Sequence, residues 1–149
     1  MTGKAVRLTR IFNSLSGRTI IAPLDHGVSM GPITGLGDMS KILHDVSKGG
    51  ANAAVLHRGS IPRRFWEDGG SMGLIVHLSG STNLSPDPLR KVEVCSVEDA
   101  VCMGADAVSI HINFGNSFEG EMLRDLGEVS GQCHRWGVPL MVMAYVRGP

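Results

Sequence analysis

Apolar residues along the chain come in short runs, Thr19–Leu24, Ala53–Leu56, Gly73–Val76, Ala107–Ile110 and Pro139–Ala144, with helical spacing between most of them. Within each run consecutive positions are apolar rather than alternating. This is the pattern of parallel strands buried on both faces. From Asp38, a predicted N-cap, Met39, Ile42, Leu43 and Val46 share one helical face, and Gly49-Gly50 ends that helix. Ser96 with Asp99 resembles a capping box opening a helix through Val97, Ala100 and Val101 to Gly104. Asn116 with Glu119 predicts a second box; Met122, Leu126, Val129, Cys133 and Trp136 then recur at helical steps until Gly137 and Pro139. The stretch from Arg58 to Ser71 reads as a loop or a single helical turn.

An internal echo strengthens this βα reading. Gly50–His57 (GANAAVLH) lines up with Gly104–His111 (GADAVSIH). In each, a helix stops on glycine, an Asn or Asp turns the chain, and an apolar strand ends on histidine. Strands alternating with helices predict an α/β fold with a parallel sheet. Every predicted strand finishes in polar chemistry: Asp25-His26, His57, His77 with Ser79, His111 with Asn113, and Tyr145 with Arg147. A (β/α)8 TIM barrel gathers all such ends at one mouth, whereas an open doubly wound sheet gathers only those beside its switch point. The barrel is the better match. A full barrel takes about 250 residues, so residues 1–149 are expected to form the N-terminal five-strand portion as one partial domain, incomplete at the C-terminus. Its open edge would need a C-terminal half or a homo-oligomeric partner.

Composition narrows the function classes. The 14 basic and 14 acidic residues give a net charge of +0, and their even spread argues against nucleic acid or a membrane surface as partner. Cys95, Cys102 and Cys133 show no CxxC spacing, as expected of structural thiols in a reducing compartment. The N-terminus lacks the apolar run of a secretory signal, and no apolar stretch approaches the ~20 residues that span a bilayer. A soluble cytoplasmic protein is the expectation.

Two residues stand out chemically. Asp25 ends an apolar strand, where a carboxylate can act as a proton acceptor; the alternative is a cap on the following turn. Tyr145, the only tyrosine, ends the fifth strand and can donate a proton, or else is a packed ring with a wet hydroxyl. Arg147 offers a planar fork to a phosphate or carboxylate. His57, His77 and His111 with Asp25 raise a rival, a divalent-metal site, but without HxH or HExxH spacing buried hydrogen-bonded histidines are preferred and no metal or cofactor is assigned. The loop Gly31–Gly37 matches neither a Walker A loop nor GxGxxG and is read as a loop over the mouth; Thr82, Ser85 and Pro86-Asp87-Pro88 are read as structural.

The segments Pro23–Leu36 (PLDHGVSMGPITGL), Gly49–Ala53, Ile75–Gly80 and Met103–His111 together resemble the archaeal class I aldolase family. The resemblance covers essentially the whole chain but only the N-terminal part of the family's barrel. It implies a ketose phosphate held as a Schiff base on a lysine, cleavage of a carbon–carbon bond, and passage of the retained fragment to an aldehyde. One branch uses L-aspartate semialdehyde as acceptor on a route to 3-dehydroquinate and the aromatic amino acids. By motif, Asp25 takes the family's proton-acceptor position and Tyr145 its proton-donor position. Asp25, His26, Gly27, Val28 and Ser29, with Tyr145, Val146 and Arg147, match its substrate-contacting segments; Val146 stands where the family usually has proline. The family's Schiff-base lysine lies on a sixth strand, and its phosphate loops follow the seventh and eighth. Lys4, Lys41, Lys48 and Lys91 are all expected away from the mouth, so the isolated chain is expected to be inactive. A fructose-bisphosphate aldolase of the same family, a metal-dependent lyase or hydrolase, and a non-catalytic binding half-barrel are the alternatives.

Overall fold

The apolar runs do form strands, fully buried over Ala53–His57 and Gly73–His77 and partly exposed at the sheet edges over Ile21–Pro23 and Leu140–Val146, and each pairs in parallel with its neighbour in the sheet. The computed structural model describes residues 2–148. In chain order these form α1 (Thr2–Ile11), β1 (Ile21–Pro23), α2 (His26–Met30), α3 (Met39–Lys48), β2 (Ala53–His57), a 3-10 turn (Arg58–Ser60), α4 (Phe65–Asp68), β3 (Gly73–His77), β4 (Ser79–Gly80), β5 (Val92–Glu93), α5 (Val97–Cys102), β6 (Ala107–Phe114), α6 (Glu119–Trp136) and β7 (Leu140–Val146). The main sheet has the order β1-β2-β3-β6-β7, every pair parallel, and β4 with β5 makes a separate antiparallel ribbon. Neighbours in the sheet follow chain order without reversal. That is the winding of a barrel, not of a doubly wound sheet. The fold is a curled half-barrel of five parallel strands.

Strand alternation sorts the side chains into two cores. Ala53, Val55, Ile75 and Ala107 point inward with Ile21, Met141 and Met143. Ala54, Leu56, Leu74, Val76, Val108, Ile110 and Ile112 point outward and pack with Leu43, Phe65, Val97, Ala100, Met122, Val129 and Cys133. Helix α1, not foreseen from the sequence, lies under the N-terminal ends of the strands. Its Ile11 is buried in the inner core, and a Cβ added at Gly73 would meet the Arg10 carbonyl oxygen at 3.0 Å.

The sequence echo is a structural repeat. Gly50 and Gly104 both adopt left-handed backbone, with φ of +91° and +86°, which only glycine takes without strain. Asn52 then accepts from the Ile20 N–H at 2.8 Å through Oδ1, while its own N–H donates to the Ile20 carbonyl at 2.8 Å. Asp106 does the same with Leu74, at 2.9 Å and 2.8 Å. Each turn residue thus clasps the preceding barrel strand at its start and sets the register.

Local signals fared well where the cap is close in sequence. Asp38 caps α3 through the Lys41 N–H, and Ser96 caps α5 through the Asp99 N–H, as expected. The Asn116 box is displaced: α6 starts at Glu119, Asn116 Oδ1 accepts from the Phe118 N–H, and Glu119 reaches back to the Gly115 N–H rather than to Asn116. Its C-terminal stop at Gly137 holds, with φ of +60°. All three cysteines are free, Cys95 and Cys133 buried, and burial pushes the Cys133 thiol up to about 11. Among the described residues no helix is long and apolar enough to cross a membrane.

Candidate active site

At the C-terminal ends of the barrel strands the chain lines a cavity of about 460 Å³. Its floor is apolar, from Ile21, Val55, Met141 and Met143, and its wall carries Asp25, His57, His77, His111, Lys91, Tyr145 and Arg147. Each strand of the half-barrel delivers to this wall, which is what the polar strand ends predicted.

Asp25 follows β1 directly and precedes α2. Although it occupies the N-cap position, its side chain makes no capping bond. The carboxylate instead faces the cavity, with Oδ2 3.9 Å from His77 Nε2 and Oδ1 4.0 Å from His26 Nδ1. The turn-capping alternative is thereby set aside.

The imidazoles form a connected row. His77 is buried and its Nδ1 lies 2.7 Å from Ser109 Oγ; the His57 ring meets it edge-on at 5.1 Å. Burial drives His77 down to about 4, helped by His57, His111 and Lys91 and opposed by Asp25. His57 and His111 are lowered too, again chiefly by burial. At neutral pH this row is uncharged. His111 Nε2 pairs with Asn113 Oδ1 at 2.8 Å, and because the Asn113 amide nitrogen donates to the Leu89 carbonyl, Oδ1 must accept and Nε2 carries the hydrogen. The His111 ring stacks on Tyr145, centroids 4.7 Å apart and planes 23° off parallel. Arg147 holds its guanidinium 5.1 Å from the same phenol ring.

Of the expected substrate contacts, Asp25, His26, Ser29, Tyr145 and Arg147 line the cavity, whereas Gly27, Val28 and Val146 do not. Val28 covers Gly80, 3.5 Å from where a Cβ would sit, and Val146 is 85% exposed on the outer side of β7. Past that strand the chain is pinned: the Arg147 N–H donates to the Phe114 carbonyl, and Gly148 packs back to back on Gly115, where an added Cβ would meet it at 2.8 Å. None of Gly31–Gly37 lines the cavity; Leu36 and Gly37 sit beside Gly59 to Pro62, the turn that follows β2. Asp25, His57 and His77 present ligand atoms within 4.8 Å of one another, so these three can hold a divalent cation, while His111 stands outside that group.

A family model for DeoC/LacD family aldolases matches residues 19–149. The chain belongs to the DeoC/LacD aldolase family. It is 44% identical over 147 residues to 2-amino-3,7-dideoxy-D-threo-hept-6-ulosonate synthase of Halobacterium salinarum, spanning 99% of this chain and 54% of that protein. Identity is 39% to 2-amino-4,5-dihydroxy-6-oxo-7-(phosphonooxy)heptanoate synthase of Streptomyces griseus, over 98% of this chain and 53% of that one. Among solved structures, an archaeal fructose-1,6-bisphosphate aldolase, with its catalytic lysine covalently bound to the carbinolamine intermediate of the substrate, superposes with a TM-score of 0.84 at 33% identity, covering 97% of this chain and 58% of that one. The chain spans about half the length of the curated relatives it matches.

Within this aldolase half-barrel the sequence reading missed one wall residue. Lys91, expected away from the mouth, lines the cavity. It precedes β5, which pairs antiparallel with β4, and Ser79 of β4 accepts from the His111 N–H at 2.9 Å. The ribbon therefore lies over the end of β6 and carries Lys91 with it. Such pairing between residues far apart in sequence leaves no local signal.

Proposed function

We propose that this chain carries the proton-handling side of a Schiff-base aldolase site that passes a ketose-phosphate fragment to L-aspartate semialdehyde, on a route to 3-dehydroquinate and the aromatic amino acids. The observation that supports this reading is the presence of Asp25 and Tyr145 on one cavity wall, at the two edges of the half-barrel, beside uncharged imidazoles. In this reading Tyr145 gives its phenolic proton to the oxygen that becomes a hydroxyl, and Asp25 accepts the proton released as the enamine forms or the carbon–carbon bond breaks. His26, Ser29 and Arg147 orient the substrate, with Gly27, Val28 and Val146 supplying the backbone that positions them. The greater identity to the ulosonate synthase, 44% against 33% for the class 1 fructose-bisphosphate aldolase of Thermoproteus tenax, favours fragment transfer over simple cleavage.

Among the described residues no lysine sits on a barrel strand: Lys4 is on α1, Lys41 and Lys48 on α3, and Lys91 precedes β5. Without an iminium the ketose has no electron sink, and acid/base catalysis alone is worth about 10²–10⁴ in rate. In this reading the nucleophilic lysine comes from barrel strands outside residues 1–149, pairing with the edges of β1 and β7. A cytoplasmic setting fits the three free thiols. Borohydride trapping with a ketose phosphate should label nothing on the 149-residue chain and label a lysine of the added half once that half is supplied. Trapping on the isolated chain would overturn the assignment of the nucleophile.

One observation favours a second reading, a metal-dependent lyase: the convergence of Asp25, His57 and His77, whose imidazoles stay neutral and so free to ligate. Elemental analysis of protein purified without chelator tests it. Absence of stoichiometric metal removes it.

A further inference from the structure

Lys91 and Arg147 both reach the cavity, and among the described residues neither meets a carboxylate within 4.0 Å. Lys91 is half-buried and donates to Ser81 Oγ, a neutral partner, while Arg147 repels it more strongly than Asp25 attracts it. Half-buried ammonium groups ordinarily find a carboxylate, since a cation withdrawn from water beside a second cation is unfavourable until an anion arrives. Among the described residues Asp25 is the only acidic one in the lining. The wall therefore brings two basic side chains, Lys91 and Arg147, to face one carboxylate. This arrangement suits a ligand with an anionic end.

Building on the reading given under Proposed function, the product names of the relatives define what that end is. A 2-amino-4,5-dihydroxy-6-oxo-7-(phosphonooxy)heptanoate is a β-hydroxy ketone. The aldol bond joins C5, which is α to the ketone, to C4, which bears the hydroxyl. The acceptor is accordingly a four-carbon aldehyde with an amino group at C2 and a carboxylate at C1, three bonds from the reacting carbon. We propose that Lys91, together with Arg147, holds the C1 carboxylate of this acceptor and so selects an amino-acid aldehyde over a neutral or phosphorylated one. Charge-assisted bonds from two cations are strong and directional, and Arg147 contributes the planar fork. Lys91 forms no covalent bond in this role. It is a specificity-determining residue that the ribbon of β4 and β5 brings to the barrel mouth.

The test is binding to the 149-residue chain, for which no turnover is required. Lysines are tagged by reductive ¹³C-methylation, which keeps their charge, and Lys91 is followed by NMR during titration with L-homoserine, an unreactive analogue with an alcohol in place of the aldehyde. L-Homoserinamide, which lacks the carboxylate, and inorganic phosphate are titrated in parallel. The expected result is a saturable shift of the Lys91 signal with L-homoserine and none with the amide. Calorimetry should show at least a tenfold weaker affinity for Lys91→Met and near-retention for Lys91→Arg, with Ser81→Ala as a milder variant should Lys91→Met misfold. Equal binding of amide and acid, or unchanged affinity in Lys91→Met, overturns the proposal. Lys91-dependent binding that is tighter for phosphate than for L-homoserine overturns the carboxylate assignment, and borohydride trapping at Lys91 reassigns it as a nucleophile. If instead the completed barrel shows no Schiff base while Lys91 still distinguishes acid from amide, the aldolase reading fails and the carboxylate site stands.

Discussion

His77 Nδ1 lies 2.7 Å from Ser109 Oγ, which leaves Nε2 facing the Asp25 carboxylate at 3.9 Å. An Nε2 without hydrogen would oppose lone pairs to a carboxylate, so the serine hydroxyl donates to Nδ1 and Nε2 carries the proton. Ser109 thus fixes which edge of the imidazole addresses Asp25. Replacing Ser109 with alanine leaves a buried ring nitrogen unsatisfied and should cost about 1–3 kcal/mol in urea unfolding. Unchanged stability would mean the hydroxyl is dispensable.

Acid should destabilise the fold through the same histidines. His57, His77 and His111 are all held below the ordinary imidazole value by burial, His77 at about 4. As pH falls from about 6.5 toward 4, the unfolded chain binds protons that the folded chain refuses, and stability drops. For His77 alone this amounts to about 3 kcal/mol by pH 4. The stabilisation is fully present above about pH 6.5. His77→Gln should flatten the profile of unfolding free energy against pH, and an unaltered slope would exclude His77 as its source.

Asp106 and Asn52 occupy equivalent positions in the repeat, yet one is a carboxyl group and the other an amide. Burial raises the Asp106 carboxyl against the pull of the Leu74 N–H and of Arg10, whose Nε is 3.2 Å away. Asp106→Asn keeps an acceptor for the Leu74 N–H and should fall within about 1 kcal/mol of the wild type. Asp106→Ala, which leaves that N–H unpaired, should lose about 2–3 kcal/mol. Thermal denaturation of the two variants distinguishes them, and a large loss in Asp106→Asn would mean the ion pair with Arg10 dominates.

In the barrel completed by its C-terminal half, Asp25→Asn and Tyr145→Phe should each lower kcat by about 10²–10⁴ without altering the fold. Near-wild-type turnover in either variant would remove that residue from proton transfer. Circular dichroism of both should match the parent chain, because Tyr145 is 44% exposed and Asp25 makes no capping bond.

What could be read from the chain was whatever is recorded locally. Runs such as Ala53–Leu56 are apolar at every position because both barrel faces of β2 are buried, and Asp38 and Ser96 cap helices three residues away. The repeat was legible because glycine is required at positive φ in both copies. Helix α1 escaped notice because Ile11 is its only buried residue, so it carries no apolar stripe. Asn116 misled by two residues because an Asx turn and an N-cap use the same side chain. Lys91 was missed because its place depends on β4 pairing with β5 across an intervening loop. That Asp25 and Tyr145 would reach one cavity could be read from their strand ends; that Lys91 joins them there needed the tertiary structure.

The contact between Gly115 and Gly148 gives the fifth strand-end a fixed measure. With two backbones touching and no side chain able to wedge between them, Arg147 stands at a set height from the sheet, and its reach into the cavity becomes a length standard. Under the carboxylate role proposed for Arg147, that height would sort ligands by the number of atoms between their anionic terminus and their reacting carbon. Lengthening either glycine by one methyl group would change the gauge before it changed the chemistry.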